Sequence, residues 1–251
     1  MSSILRQRHT LAVPAMVDLT EMMKEAGTMD AVSAPEPSPE ALSSRVRRLT
    51  REDHSRAESS AFITELMSGQ RSLHDYALLV CQYFYLYGAL DTAVAVSRQM
   101  PDNERFATLF DPNLDRRSAL AHDMDSLLPL TGLSVPVSMP ATSTYVARII
   151  EASDDPVRLA AHHYLRYLGD LSGGLAIASL VRRHYQASDD HLHMYAFTSI
   201  PHPKVYKDHY RASLDSLDLA PEQAEAFVAE TRDGFRLNQA IFEDLLDYTQ
   251  A

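Results

Sequence analysis

One long helical stretch that contains a cluster of glycines most constrains how this chain can fold. From about Pro156 to Tyr185, apolar residues recur at helical spacing, at Leu159, Ala160, Leu168, Leu171, Ala178 and Val181. Three of the eight glycines of the chain fall within residues 169–174. Each glycine inside a helix costs about 1 kcal/mol relative to alanine, so the cluster costs about 3 kcal/mol. We expect a packing or binding requirement to offset that cost.

Gly169 and Gly173 are four residues apart, so they lie on one helical face and leave its backbone bare. A flat or bulky partner could then touch the main chain itself. Asp170 places a carboxylate beside that face. Close packing against another helix, with a solvated Asp170, is the alternative that spacing alone leaves open, and the glycines also permit a kink.

The stretch from Tyr164 to Gly174, Tyr-Leu-Arg-Tyr-Leu-Gly-Asp-Leu-Ser-Gly-Gly, resembles the distal-helix signature of the heme oxygenases, particularly the soluble bacterial ones. That family usually has glutamine at the next position, where this chain has Leu175. The resemblance runs from about Leu42 to Leu246. It implies an all-α, single-domain helical bundle in which heme is sandwiched between a proximal helix and the glycine-containing distal helix.

Length and composition agree with a single domain that carries a tail. A chain of 251 residues can bury a full core. A net charge of −11, without a run of lysine or arginine, disfavours a nucleic-acid partner. Cys81 is the only cysteine, so no disulfide can form within the chain, and its apolar surroundings predict a core residue. We find no apolar run near the roughly 18 residues that a membrane span needs, and expect a cytoplasmic protein without a membrane anchor.

The chain divides into two parts. Residues 1–40, which include the breaker-rich run 34–39, are expected to form a flexible extension, and residues 41–251 a heme oxygenase-like helical domain. Within this domain the patterns predict helices at 40–54, 62–69, 72–97, 103–110, 115–128, 141–153, 156–185, 201–217 and 221–248. No alternating strand pattern is found.

His54 and Glu58 are the candidate proximal pair. They are four residues apart and share a helical face, so Glu58 can hold one ring nitrogen of His54 while the other binds a metal. Taken alone, such a pair is common on protein surfaces. The family resemblance of the His-x-x-Ala-Glu segment implies that His54 ligates the heme iron.

The resemblance also implies which residues hold the propionates and the far side of the heme. Lys207 and Arg211, four apart on one helix, match the cationic rim, as does Arg47, where the family usually has lysine. Tyr164 matches a hydroxyl that reaches a propionate. Without the resemblance, these side chains are also compatible with solvated cations and a capped tyrosine.

Phe235, Asn238 and Phe242 resemble the family's back-wall helix. Asn238 is a polar amide within an apolar set, and the resemblance implies that it helps to hold ordered water. An amide satisfied by the backbone is the alternative.

For the distal side, the resemblance implies that Asp170 acts through water, which its carboxylate orders for proton delivery. Tyr87 and Arg166 are expected in the same network. The bare backbone at Gly169 and Gly173 would direct oxygen along the plane of the ring.

Four other histidines were considered. His162 and His163 are adjacent in a helix and point about 100° apart, so they cannot act as a pair. His191 and His193 lie in a polar stretch, where solvent exposure and metal binding are both open. No Glu-x-x-His pairs support a di-iron carboxylate site.

The function implied is the breakdown of heme, as both cofactor and substrate, to biliverdin, carbon monoxide and ferrous iron. The chemistry requires heme b, O2, and electrons from a reductase or ferredoxin, and iron acquisition is the expected purpose. A heme-binding carrier or sensor on the same fold is the alternative, and a helical enzyme that uses no heme, of the thiaminase-like group, is a third.

Overall fold

The computed structural model describes residues 40–134 and 137–250 of the chain. These residues form helices α1 (Leu42–Leu49), α2 (Arg51–Glu58), α3 (Ala61–Met67), α4 (Leu73–Ser97), α5 (Arg117–Thr131), α6 (Pro140–Ala152), α7 (Pro156–Tyr185), α8 (Pro203–Asp215) and α9 (Pro221–Gln250). Within the described ranges there is no strand, so the predicted all-α class is confirmed. The predicted extension, residues 1–40, lies outside the described residues except for Glu40.

The glycine-bearing helix α7 is one continuous helix of 30 residues. It begins at Pro156. A backbone N–H in the first turn of a helix has no partner within the helix, so a proline, which lacks that N–H, costs no hydrogen bond there. The side chain of Asp155 accepts hydrogen bonds from the backbone N–H groups of Val157 (2.9 Å) and Arg158 (3.3 Å). Three basic residues occupy its last turn, where they complement the helix dipole. The glycines therefore do not interrupt the helix, which begins and ends at the predicted residues, Pro156 and Tyr185.

Helix α4 is the central helix of the bundle. It starts with a capping box: the Ser72 hydroxyl accepts from the backbone N–H of Asp75 (3.2 Å), and the Asp75 carboxylate accepts from the backbone N–H of Ser72 (3.0 Å). Among the described helices it alone has the length and apolarity of a membrane span, with a mean hydropathy of 1.3 over 18 residues. The expectation that no such stretch exists was wrong. Most of α4 is buried, because other helices surround it rather than solvent.

Two predicted helices differ from those observed. The first, expected to run unbroken to His54, divides at Thr50 into α1 and α2. The Thr50 hydroxyl donates to the carbonyl of Val46 at 2.9 Å, a contact that bends helices. The helix expected at 103–110 is a 3-10 helix, Pro101–Phe106.

The long helices α7 and α9 pack closely against each other, and Gly234 permits this approach. A Cβ atom at Gly234 would lie 2.5 Å from Leu165 Cδ2 and 3.0 Å from the hydroxyl of Tyr145. Any larger residue would therefore force the side chains of Leu165 and Tyr145, or the helices that carry them, to shift. This packing fixes the position of α9 relative to the glycine cluster of α7.

Candidate functional site

The backbone at Gly169 and Gly173 borders open space. A Cβ atom built at either glycine would meet nothing within 4 Å. Gly174 differs, because its Cβ would lie 3.0 Å from the ring of Tyr195. Close helix packing therefore explains Gly174 alone, while the other two glycines leave an uncovered strip of main chain. The open strip is the feature that a flat ligand would require.

Beside this strip, four predicted residues form one hydrogen-bonded network. The Tyr87 hydroxyl donates to the Asp170 carboxylate. Arg166 donates from Nε to the Tyr87 hydroxyl oxygen (3.1 Å) and from Nη1 to Asn238 Oδ1 (2.5 Å). Tyr87, Arg166 and Asn238 are buried. Asn238 is thus bonded by a side chain, and the alternative that the backbone satisfies this amide oxygen is wrong.

The electrostatics of this network favour the retention of protons on its acids. Burial raises the pKa of Asp170, which the charge of Arg166 and the hydrogen bond from Tyr87 only partly oppose. Burial also raises the pKa of Tyr87 well above its ordinary value. Tyr87 therefore keeps its proton and donates it in the hydrogen bond, and Asp170 is protonated more readily than an ordinary aspartate.

On the proximal side, His54 and Glu58 pair as predicted. His54 Nδ1 lies 3.2 Å from Glu58 Oε2, and the two side chains are 54% and 68% exposed. A proton on Nδ1 that faces the carboxylate leaves Nε2 as the metal-binding nitrogen. No described residue hydrogen bonds Nε2. The imidazole is therefore oriented, and accessible.

Helix α9 links the proximal and distal sides. The ring of Phe235 contacts that of His54 edge to face, with centroids 5.7 Å apart. Three residues later, Asn238 bonds Arg166 of α7. Phe242 stacks on Phe62 of α3, at 6.4 Å. The three predicted back-wall residues thus connect α2, α3 and α7. No contact among the described residues joins His54 directly to Gly169 or Asp170.

The predicted cationic rim is brought together around Tyr164. Burial raises the pKa of Tyr164, and the positive charges of Arg211 and Arg47 partly oppose that rise. Lys207 Nζ donates to Ser172 Oγ of α7 at 2.9 Å. Arg211 also bonds Asp208 at 3.1 Å. The rim thus extends from α1 across α7 to α8.

Sequence reasoning missed three contributors to the site. Arg166 lies over the ring of Tyr83, 4.6 Å from its centroid. Tyr83 precedes Tyr87 by four residues, and that spacing on the aromatic-rich helix was the available signal. Ser172, inside the recognised motif, binds Lys207. Tyr167 donates to Asp91, which is four residues after Tyr87.

The remaining predicted features lie apart from this site. His162 bonds Glu230 and His163 bonds Tyr210, each at 2.8 Å, so the two histidines act separately, as expected. Cys81 is buried in the core, where burial raises its pKa to about 11. His191 is buried rather than exposed, and its Nδ1 accepts a hydrogen bond from the Ser188 backbone N–H at 3.0 Å.

Two surface grooves, of about 390 and 350 Å³, contain none of the predicted site residues. One lies between α6 and α9, and the other follows α4 to the start of α5. The candidate site is therefore the open strip of α7 with the groups around it.

Comparison with known proteins gives a consistent result. The family model described as heme oxygenase matches residues 40–244. A heme oxygenase of Porphyra purpurea is 31% identical over 206 residues, which cover 81% of this chain and 86% of that protein. The solved heme oxygenase of Leptospira interrogans is 33% identical with a TM-score of 0.74, covering 80% of this chain and 98% of that one. Heme oxygenase-2 of Synechocystis sp., solved with heme and NO, is 31% identical with a TM-score of 0.74 and covers 83% and 86%.

Proposed function

Because the chain belongs to the heme oxygenase family and degrades heme to biliverdin, carbon monoxide and iron, we propose which of its residues perform that reaction. The single observation that carries the assignment is the open backbone at Gly169 and Gly173 beside the Asp170 network. A ligand stacked on that strip would lie within reach of one oriented carboxyl group. The carrier or sensor alternative has no need of such a group.

The residues present fit heme at this place. Two glycines give the space for a flat ring, His54 offers an accessible Nε2, and Lys207 places a cation beside the strip. Heme, when bound, supplies the iron that activates O2 and is also the molecule degraded. His54 would hold the iron, and Glu58 would keep the imidazole in the tautomer that leaves Nε2 free.

The cations and Tyr164 would fix the orientation of the ring. Arg47, Lys207 and Arg211 provide charges suited to two propionates, and arginine can bind a carboxylate through two hydrogen bonds. Since Lys207 already contacts Ser172 of α7, it lies at the border of the distal strip. Phe235 and Phe242 would line the apolar side. This clamp would determine which edge of the ring faces Asp170.

Asp170 would move protons without touching the iron. Tyr87 occupies Asp170 Oδ2, which leaves the other carboxylate oxygen for water. Arg166 and Asn238 hold Tyr87 and the surrounding groups in place. Ordered water bonded to Asp170 would deliver protons at the ring while Gly169 and Gly173 restrict the direction of oxygen.

We further propose electron supply from a reductase or ferredoxin, a cytoplasmic location in which no helix of residues 40–134 and 137–250 spans a membrane, and iron acquisition as the purpose. The burial of α4 in the bundle supports the location, because its apolar surface is already covered. The net charge of −11 supports the absence of a nucleic-acid partner.

Product identification tests the assignment. Purified chain is incubated with hemin, O2 and a reductase system, and biliverdin and carbon monoxide are measured. His54→Ala should lose the absorption spectrum of histidine-ligated heme and weaken heme binding at least about tenfold. Added imidazole should restore the spectrum. An unchanged spectrum in His54→Ala would mean that another residue ligates the iron.

A further inference from the structure

Two histidines that are not among the proposed heme-site residues lie close together. His122, on α5, and His193, in the 3-10 helix His193–Tyr195, have ring centroids 5.6 Å apart. His122 is exposed, and the side chain of His193 is 42% exposed. Two imidazoles bound to one tetrahedral ion at about 2.0–2.1 Å have ring centres about 5 to 6 Å apart. The pair is thus already near the spacing that one metal ion requires.

A buried carboxylate orients one of these rings. Asp123 Oδ1 lies 3.0 Å from His193 Nδ1, and the Asp123 side chain is fully buried. The same carboxylate accepts the backbone N–H groups of His193 (2.7 Å) and Met194 (2.8 Å), so it cannot turn away. A proton on Nδ1 leaves His193 Nε2 free. Metal-binding histidines are commonly held by a carboxylate in this manner.

From this geometry we propose that His122 and His193 bind a divalent transition-metal ion of the class that prefers imidazole, such as Zn²⁺ or Cu²⁺. No cluster of three or more histidine, cysteine, aspartate or glutamate side chains suited to a metal occurs within residues 40–134 and 137–250. The site therefore has two protein ligands, and water completes the coordination.

Metal binding here would fasten α5 to the segment that precedes α8. Two residues after His193, Tyr195 packs against Gly174 of α7. A bound ion would therefore restrain a segment that supports the glycine-bearing helix. A rise in melting temperature with added metal is a second consequence, since a ligand that binds only the folded chain stabilises it.

The test uses the full chain without heme, in a His54→Ala background that removes the His54–Glu58 pair. Titration with Zn²⁺ by calorimetry should show a site that His122→Ala and His193→Ala each weaken at least about tenfold. His74→Ala is the matched control, since His74 is 45% exposed and lies 3.7 Å from Asp75, but has no histidine neighbour at ring distance among the described residues. It should leave that site unchanged.

Electron paramagnetic resonance with Cu²⁺ identifies the ligands directly. Splitting from two imidazole nitrogens is expected in the His54→Ala chain, and from one in either further variant. Zinc affinity that is equal in all three variants and their parent would overturn the proposal, as would equal losses in His74→Ala and His193→Ala. Because heme is absent throughout, failure of this site leaves the heme assignment intact.

Discussion

Asp170 and Glu230 are two carboxylates in the same pair of helices, α7 and α9, yet their surroundings differ in kind. Glu230 bonds Arg148, Arg158 and His162 at 2.7 to 2.8 Å. Burial alone would raise its pKa, but these hydrogen bonds and charges lower it to about 2. Asp170 has one tyrosine donor, and burial raises its pKa.

The difference separates a carboxylate that holds helices together from one that can do chemistry. Glu230 accepts hydrogen bonds from three protein side chains, and its lowered pKa keeps it ionised at neutral pH. Asp170 keeps an oxygen for water and a pKa displaced toward neutrality, which are properties of a group that exchanges protons. Burial alone therefore does not distinguish the two carboxylates, whereas the number of protein donors around each one does.

The largest expected effect is that of Asp170→Asn on turnover. Heme should still bind through His54, but biliverdin formation should fall about 10²- to 10⁴-fold, because the amide cannot exchange protons with water in the same way. The rate is measured with hemin, O2 and a reductase. Asp154→Asn, an exposed carboxylate before α7, is the control. Normal biliverdin yield from Asp170→Asn would remove Asp170 from the proposed proton path.

Glu230→Gln should act on stability instead. The lowered pKa of Glu230 corresponds to about 3 kcal/mol of unfolding free energy at pH 7, which the amide would lose. Urea unfolding followed by circular dichroism measures it. Biliverdin formation per folded molecule should remain that of the parent chain. A loss below about 1 kcal/mol would show that the two arginines and His162 do not depend on this charge.

The pH dependence of stability should have opposite signs for the two carboxylates. The contribution of Glu230 is present above its unfolded pKa of about 4.5 and disappears as pH falls toward 2. Asp170 has a raised pKa, so its contribution is present at low pH and is lost as pH rises above 3.8 through that raised value. Relative to the parent, Glu230→Gln should recover on acidification and Asp170→Asn should gain as pH rises. If the unfolding free energies of the two variants, relative to the parent, changed with pH in the same direction, the proposed difference between Glu230 and Asp170 would be wrong.

The smallest effect is expected at Glu58, a carboxylate that is 68% exposed. Glu58→Gln keeps an oxygen that can accept from His54 Nδ1, so the heme spectrum should not change. Loss of one exposed carboxylate charge should alter the unfolding free energy by less than about 1 kcal/mol. Glu58→Ala, which removes the acceptor, should broaden or shift the spectrum. An effect of Glu58→Gln as large as that of Asp170→Asn would mean that exposure is no guide to function here.

Local patterns predicted most helices, because the residues that begin a helix lie within a few positions of its first turn. Asp155 with Pro156 marks the start of α7, and Ser72 with Asp75 marks the start of α4. The division at Thr50 was missed, since it depends on one side-chain hydrogen bond to the preceding turn and not on hydrophobic periodicity.

Long-range pairs in the site could not be derived from spacing. Tyr87 and Asp170 are 83 residues apart, and their contact depends on the relative rotation of α4 and α7. The family resemblance placed Tyr87 in the network, whereas it gave no indication of Tyr83. Glu230 was also overlooked, because a glutamate with three partners on distant helices looks in sequence like any other helical glutamate.

Helix α9 sets the spacing between the proximal and distal sides of the proposed heme site. Phe235, against His54, and Asn238, against Arg166, are separated by about 4.5 Å of helical rise. A single residue inserted between them would turn one contact about 100° away from the other. A change in the length of this segment would therefore displace the contact with His54 relative to the contact with Arg166.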